Sequence, residues 1–292
     1  MKEDNRHRKT QDVPECRSRV YLYILLLLLI GGVGYIRAQG LPTNRYFTHG
    51  ERVDYDLYFK WGILMPKAGL ATLSIKDSKY EGNSSWHYRL LFRTSGMMEK
   101  VFKMRDTIDC HFSYDDARLL FSSKRTNEGD YYLIDNLSFS YNEGNVSVRS
   151  HRYNLKTTKI DTILTAQGRM FDMLGATMYL RALDWDKMSY GDTFPFLIAI
   201  GRDLVNVSYR YSGQQIVERG DAKYRTRHFY IDIIDEAFTQ NKEAAEVWIG
   251  DDQNHLPIKI RAKLKIGAAE VYYNSSYNLR YPLDCRVVFP KR

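Results

Sequence analysis

Apolar and polar residues alternate along most of this chain, and the period is two. Between Glu51 and Lys60, Val53, Tyr55, Leu57 and Phe59 fall on one side, and Arg52, Asp54, Asp56 and Tyr58 on the other. That is the spacing of a half-buried strand. Similar segments recur at Ala68–Lys76, Trp86–Thr94, Asp106–Phe112, Leu119–Asn127, Asp130–Tyr141, Val146–Tyr153 and Lys156–Leu164. Short turn sequences such as YDDA, NEGD, YNEGN and NLK separate them. The pattern resumes from Thr193 to Tyr277 and is sharpest in Ile258–Ile266. There Ile258, Ile260, Ala262, Leu264 and Ile266 face one way and Lys259, Arg261, Lys263 and Lys265 the other.

One stretch breaks this period. From Ala166 to Lys187 the apolar positions Phe171, Met173, Leu174, Ala176, Met178, Leu180 and Leu183 are spaced by threes and fours. That spacing predicts a helix over 169–187, covered on most of its surface. It would begin at Thr165 or Gly168, end at the Ser189–Asp192 turn and span ~28 Å. Arg181 is the odd charge on it, predicted either to pair with Asp184 or to face a cavity. The order is strands over 51–164, helix, then strands over 193–277. It predicts a mostly β protein: a strongly curved antiparallel sheet of over a dozen strands, half-barrel-like, with one central helix on its concave face.

The first 38 residues read differently. A basic segment (Lys2, Arg6, Arg8, Lys9, Arg17, Arg19) precedes the apolar run Tyr21–Ile36, and Arg37-Ala38-Gln39-Gly40 offers a small-residue cleavage site after Ala38. This is the grammar of a signal peptide. An uncleaved anchor through 21–36, basic end inward, is the alternative. Cys16 precedes the apolar run, which is the wrong place for lipid attachment at a cleavage site. The expectation is one exported β-rich domain over 39–292 in the periplasm, with a tail from 278.

Composition fits strands, with 23 Tyr and 13 Phe. The net charge of +8 falls partly in the leader, and what remains is too mild to argue for nucleic acid. Cys110 and Cys285 follow the leader; in an oxidising compartment they either pair as a disulfide or stay as thiols. Asn83, Asn136, Asn145, Asn206 and Asn274 open N-x-S sequons, relevant only in a eukaryotic secretory pathway.

Chemistry is sparse. The seven His are scattered, with no HExxH, C-x-x-C, G-x-S-x-G, Walker or G-x-G-x-x-G motif, so no metal or cofactor is expected. Trp248–Pro257 is the most polar cluster. Its Asp251, Asp252 and His255 are either acid–base candidates or parts of an Asx-rich hairpin turn flanked by Trp248. The row Lys259, Arg261, Lys263 and Lys265 is either a solvated face or a docking face for anionic headgroups or an acidic partner.

Three motifs carry a resemblance: GERVDYDLYFKWGILMPKAGLATLSI, FDMLGATMYLRALDWDKMSYGDTFPF and WIGDDQNHLPIKI. In this order, across Gly50 to about Tyr277, the chain resembles the bacterial envelope family called domain of unknown function 3108. The resemblance implies an exported, β-rich single domain, loosely similar to the half-barrels of bacterial lipoprotein carriers, and carries over no catalytic residue. By the same resemblance Asp106-Thr107-Ile108 and Asp161-Thr162-Ile163 look like O-glycosylation acceptors. The expected function is a non-enzymatic envelope protein binding a lipid-like or apolar ligand between sheet and helix, with Phe171, Leu174, Met178 and Arg181 lining the cavity. An envelope scaffold working through the basic row, with membrane contact at its periphery, is the alternative. A carboxylate hydrolase is disfavoured, because adjacent Asp251 and Asp252 point to opposite faces of a strand.

Overall fold

The computed structural model describes residues 46–234, 241–264 and 267–287. The leader, Lys265, Ile266 and the last residues of the tail lie outside them. Among the described residues, sixteen strands form one sheet. The first run is β1 (Arg52–Lys60), β2 (Lys67–Tyr80), β3 (Asn83–Thr94), β4 (Arg105–Ser113), β5 (Leu119–Glu128), β6 (Tyr131–Asn142), β7 (Asn145–Tyr153) and β8 (Thr158–Gln167). The second is β9 (Met170–Phe171), β10 (Thr193–Ile200), β11 (Asp203–Arg219), β12 (Ala222–Ile233), β13 (Asn241–Gly250), β14 (Pro257–Lys263), β15 (Ala268–Tyr277) and β16 (Arg286–Val287).

β1–β8 and β10–β15 are antiparallel meanders, because alternating segments joined by short connections pair with their neighbours in sequence. The β2–β3 and β6–β7 hairpins turn on Glu81-Gly82 and Glu143-Gly144, with both residues of each pair at positive φ. This is the backbone that matches the strands' own twist, and glycine adopts it without a Cβ clash. β1 pairs β15 and joins the two runs. The order is then β8-β7-β6-β5-β4-β3-β2-β1-β15-β14-β13-β12-β11-β10-β9, with β16 on β12.

Curvature follows from that order. β8 and β9 stand at opposite ends of the ladder, yet only Gly168 and Arg169 separate them in the chain. A flat sheet of this many strands would be roughly 65 Å wide at ~4.8 Å per strand. The chain from Gln167 to Met170 reaches at most ~11 Å. The sheet therefore curls until its ends approach, and it stays open. β9 pairs only β10, and in parallel, so the sheet is antiparallel except at that edge.

The central helix lies inside the curl. It runs Met173–Arg181, shorter than the predicted 169–187. Met170 and Phe171 instead pair with Leu197 and Ile198. Asp172, not Thr165 or Gly168, caps the helix by accepting from Gly175 N at 2.6 Å. A separate 3-10 turn, Trp185–Lys187, follows it. Leu174, Ala176, Met178, Tyr179 and Leu180 are buried in a core shared with Val53, Ile75, Tyr88, Phe112, Val148, Val207 and Phe229. Tyr209 donates to Ala176 O at 2.9 Å, and the Tyr88 hydroxyl meets Thr177 Oγ1 at 3.1 Å. A second, short helix, Gly96–Val101, bridges β3 and β4 and buries no residue.

Candidate functional site

Two rows of side chains cross the inner face of the first meander. One reads Leu90, Ile108, Lys124, Asp135, Arg152 and Ile160, each the register partner of the next. The other reads Tyr88, Cys110, Ser122, Leu137, Ser150 and Thr162. Between these rows, the start of the central helix and the β10–β11 turn lies a cleft of about 390 Å³. Leu90, Phe92, Ile108, Leu137, Leu174 and Ala199 give it apolar walls; exposed Met173 and Ile200 stand at its mouth.

Charges enter on one side. Arg152 donates to Asp135, and Asp106 accepts from Asn127 N at 3.0 Å. Lys124, also on the lining, has no carboxylate partner among the described residues. The walls are thus largely apolar, and the charged side carries two cations and two carboxylates, of which Lys124 and Asp106 are outside any ion pair among the described residues, an arrangement suited to a ligand with a polar end.

The floor is polar and tightly built. Ser122 Oγ donates to Asp172 Oδ2 at 2.6 Å, and Cys110 Sγ lies 3.4 Å from each Asp172 oxygen. Burial raises the Asp172 carboxyl above its ordinary value. Burial, with the Asp172 charge beside it, raises the Cys110 thiol further still. The helix approaches the sheet closely here, because a Cβ on Gly175 would lie 2.8 Å from Asp172 Oδ1 and 3.2 Å from Leu119. Of the floor residues the sequence singled out Cys110 alone, and as a possible disulfide partner; Ser122 and Asp172 were passed over. The signal was present in F-D-M-L-G, an Asp followed three residues on by a Gly at the start of an apolar run.

Of the four residues expected to line a cavity, only Leu174 does so. Phe171 stacks on Tyr179 at 5.1 Å and meets Phe196, inside the core, and Met178 is buried with it. Arg181 neither faces a cavity nor pairs with Asp184. Its guanidinium forms a fork on Glu51 (2.7 and 3.2 Å), donates twice to Asn254 O (3.3 and 3.1 Å) and lies over Phe47. Asp184 instead takes Lys187 at 2.6 Å.

The polar hairpin turns inward, onto the end of the helix. Asp251 holds Arg227 at 2.9 Å and Gln214 at 2.9 Å; the two Asp252 oxygens accept from Asn254 N and Cys285 N. Both carboxylates are committed to holding the loop. His255 donates to Arg181 O at 2.8 Å and stacks on Trp185 at 4.0 Å. Burial pushes its imidazole down to about 4. Trp248 donates to Gln215 at 2.7 Å and stacks on His228.

The basic row is neutralised where it is described. Buried Glu270 lies 4.0 Å from Lys259 and 3.7 Å from Arg261, Glu246 is 3.6 Å from Arg261, and Glu243 is 3.8 Å from Lys263. Lys259 also sits over the Trp248 ring at 4.6 Å. Lys265 lies outside the described residues. The inner side of this strand is less covered than its alternation predicts, since Leu264 is exposed.

Cys110 and Cys285 are both free and buried. Cys110 sits on the cleft floor, whereas Cys285 packs beside Gly250 and donates its backbone N–H to Asp252. Each has its own surroundings, so the tail is held by hydrogen bonds and not by a disulfide. Among the described residues no group of three His, Cys, Asp or Glu could hold a metal ion, and no helix is long and apolar enough to cross a membrane.

No curated protein matches the chain in sequence. Among solved structures it is similar to a crystal structure of a beta-barrel-like protein of domain of unknown function DUF1849 from Brucella abortus. The TM-score is 0.55 and the identity 10%, over 78% of this chain and 97% of that one. At that identity the likeness is one of fold. The family model of the protein of unknown function DUF3108 matches residues 54–273, from β1 to β15 and so through every wall of the cleft, and this chain belongs to that family.

Proposed function

We propose that this is a non-enzymatic cell-envelope protein that holds a lipid-like amphiphile between its curled sheet and its central helix. The observation that carries this is the cleft. Its volume lies in the ~300–1,000 Å³ range of small-molecule sites, and it combines apolar walls with a few fixed polar groups. The ligand's apolar part would lie against Leu90, Ile108, Leu137 and Leu174. An anionic end would meet Lys124, whose neighbour Asp135 is already engaged by Arg152. The polar hairpin gives no comparable support for hydrolysis, because each oxygen of its two carboxylates already accepts a hydrogen bond, Asp251 from Arg227 and Gln214 and Asp252 from Asn254 N and Cys285 N. The ion-paired basic row gives little support for a scaffold face. Location in the envelope rests on the leader.

The test is titration with a fluorescent fatty acid such as cis-parinaric acid. Wild-type protein is expected to bind it. Leu174→Trp and Ala199→Trp, which fill the cleft from two sides, are expected to weaken binding by at least ~10-fold, a loss of about 1.4 kcal/mol. Lys124→Met should weaken the acid more than its methyl ester. A wild-type protein that binds neither probe, or filled variants that bind as well as wild type, would overturn the proposal.

A further inference from the structure

The far end of the central helix carries another cavity, of about 350 Å³. It is bordered by the 3-10 turn Trp185–Lys187 and the loop 251–256, and it shares no residue with the cleft at the helix start. Its volume stands at the lower end of the ~300–1,000 Å³ of small-molecule sites, which suits a compact ligand and not a long chain.

His255 sets the chemistry of this space. The residue is 7% exposed. Arg181 O can only accept, so Nδ1 carries the ring proton and donates to it at 2.8 Å. Rings pack on the imidazole from Trp185 at 4.0 Å and from Tyr46 at 4.5 Å. The edge that bears Nε2 is what remains to border the cavity. With burial pushing the imidazole down to about 4, the ring is uncharged at neutral pH and Nε2 is a bare lone pair. It has no hydrogen-bond partner among the described residues. Clamping the helix end uses Nδ1 alone. A nearly buried acceptor left open beside a cavity is met by whatever donor enters.

The groups around Nε2 narrow the choice. Each oxygen of Asp251 and Asp252 takes one hydrogen bond, from Arg227, Gln214, Asn254 N or Cys285 N, and keeps a second lone pair. Donors stand among these acceptors: the Gln253 amide and the Tyr281 hydroxyl border the cavity and make no hydrogen bond among the described residues. A simple ammonium only donates and would leave the amide and the hydroxyl unmatched. A simple anion only accepts and would leave Nε2 and the carboxylates unmatched. A sugar hydroxyl does both, and the C–H face of a sugar ring suits bordering aromatic carbon such as that of Tyr281 and Trp185.

We infer that this cavity binds an uncharged sugar unit, whose hydroxyls donate to His255 Nε2 and to the Asp251 and Asp252 carboxylates and accept from Gln253 and Tyr281. The site is independent of the cleft, and so is its test.

The test reads Nε2 directly. Full-length protein is labelled with heavy nitrogen in its histidine rings, and the His255 pair of resonances is identified by its loss in His255→Gln. Methyl glucoside, methyl galactoside and N-acetylglucosamine are titrated separately. At least one is expected to move the Nε2 resonance saturably, while Nδ1, held by Arg181 O, moves little. Gln253 is exposed, so Gln253→Trp fills the cavity from its rim without touching the core. It should weaken that sugar by at least ~10-fold and leave cis-parinaric acid binding unchanged. Methylammonium and acetate at the same concentrations should leave Nε2 where it is. Three results would overturn the site: none of the sugars moves Nε2, the response persists undiminished in Gln253→Trp, or methylammonium or acetate moves Nε2 as far as the sugar does.

Discussion

Arg181 is the residue that ties the parts of this molecule together. A guanidinium with no exposed surface is stable only when its donors and its charge are met. Glu51 meets the charge from the start of β1, and Asn254 O meets further donors from the hairpin loop. Arg181 thus pins helix, first strand and loop at one point. The sequence made it conspicuous, because a charge among Met178, Leu180 and Leu183 needs a partner. It could not name the partner, because Glu51 is distant in the chain and Asp184 is close. Arg181→Met should leave Glu51 buried and uncompensated, lowering stability by ~3–5 kcal/mol. The double variant with Glu51→Gln should cost clearly less than the sum of the two single changes. Urea midpoints for the four proteins check this, and additive losses would mean that the pair does not act as a unit.

At the scale of elements, the central helix was legible in kind and in place but not in length. Periodicity alone extended it to both sides. Asp172 stops it at one end by capping, and backbone pairing takes Met170 and Phe171 into β9. Parallel pairing of two residues leaves no periodic trace. At the other end the loop 251–256 takes over. His255 donates to the last helical carbonyl from a backbone at φ 49°, and its ring lies on Trp185. In the hairpin sequence His255 looked like a chemical group; in the fold it is a clamp. Burial pushes its imidazole down to about 4 in the folded chain against an ordinary 6.5; the hydrogen bond to Arg181 O and the Asp252 charge oppose the depression, and the Arg181 and Arg227 charges add to it. The unfolded chain therefore takes up the proton first, and this group's contribution is lost as pH falls from about 6.5 towards 4. The loss should approach ~3 kcal/mol. Unfolding free energies at pH 7 and pH 4.5 should show His255→Gln losing less on acidification than wild type; equal losses would assign acid sensitivity elsewhere.

The described sheet is a ladder of meanders bent until its ends approach one another around a helix, without closing. That much was readable from turns, alternation and one helical segment between two runs of strands, because each of these is local. What the sheet encloses was not readable. The cleft is made by cross-strand rows such as Leu90, Ile108, Lys124, Asp135 and Arg152, which share a face only once the register is set. Helix periodicity therefore pointed to Phe171 and Met178, which fill the core, and passed over Lys124 and Ser122, which face the space. The proposal that this space is occupied can be put to one measurement. Native mass spectrometry is run on the protein purified without detergent from the cells that express it, beside Leu174→Trp. Wild type should carry extra mass that is released on unfolding and extracts into organic solvent as an anionic amphiphile, and the variant should carry none. A wild-type protein that is always empty, or adducts identical in both, would contradict a ligand in this cleft.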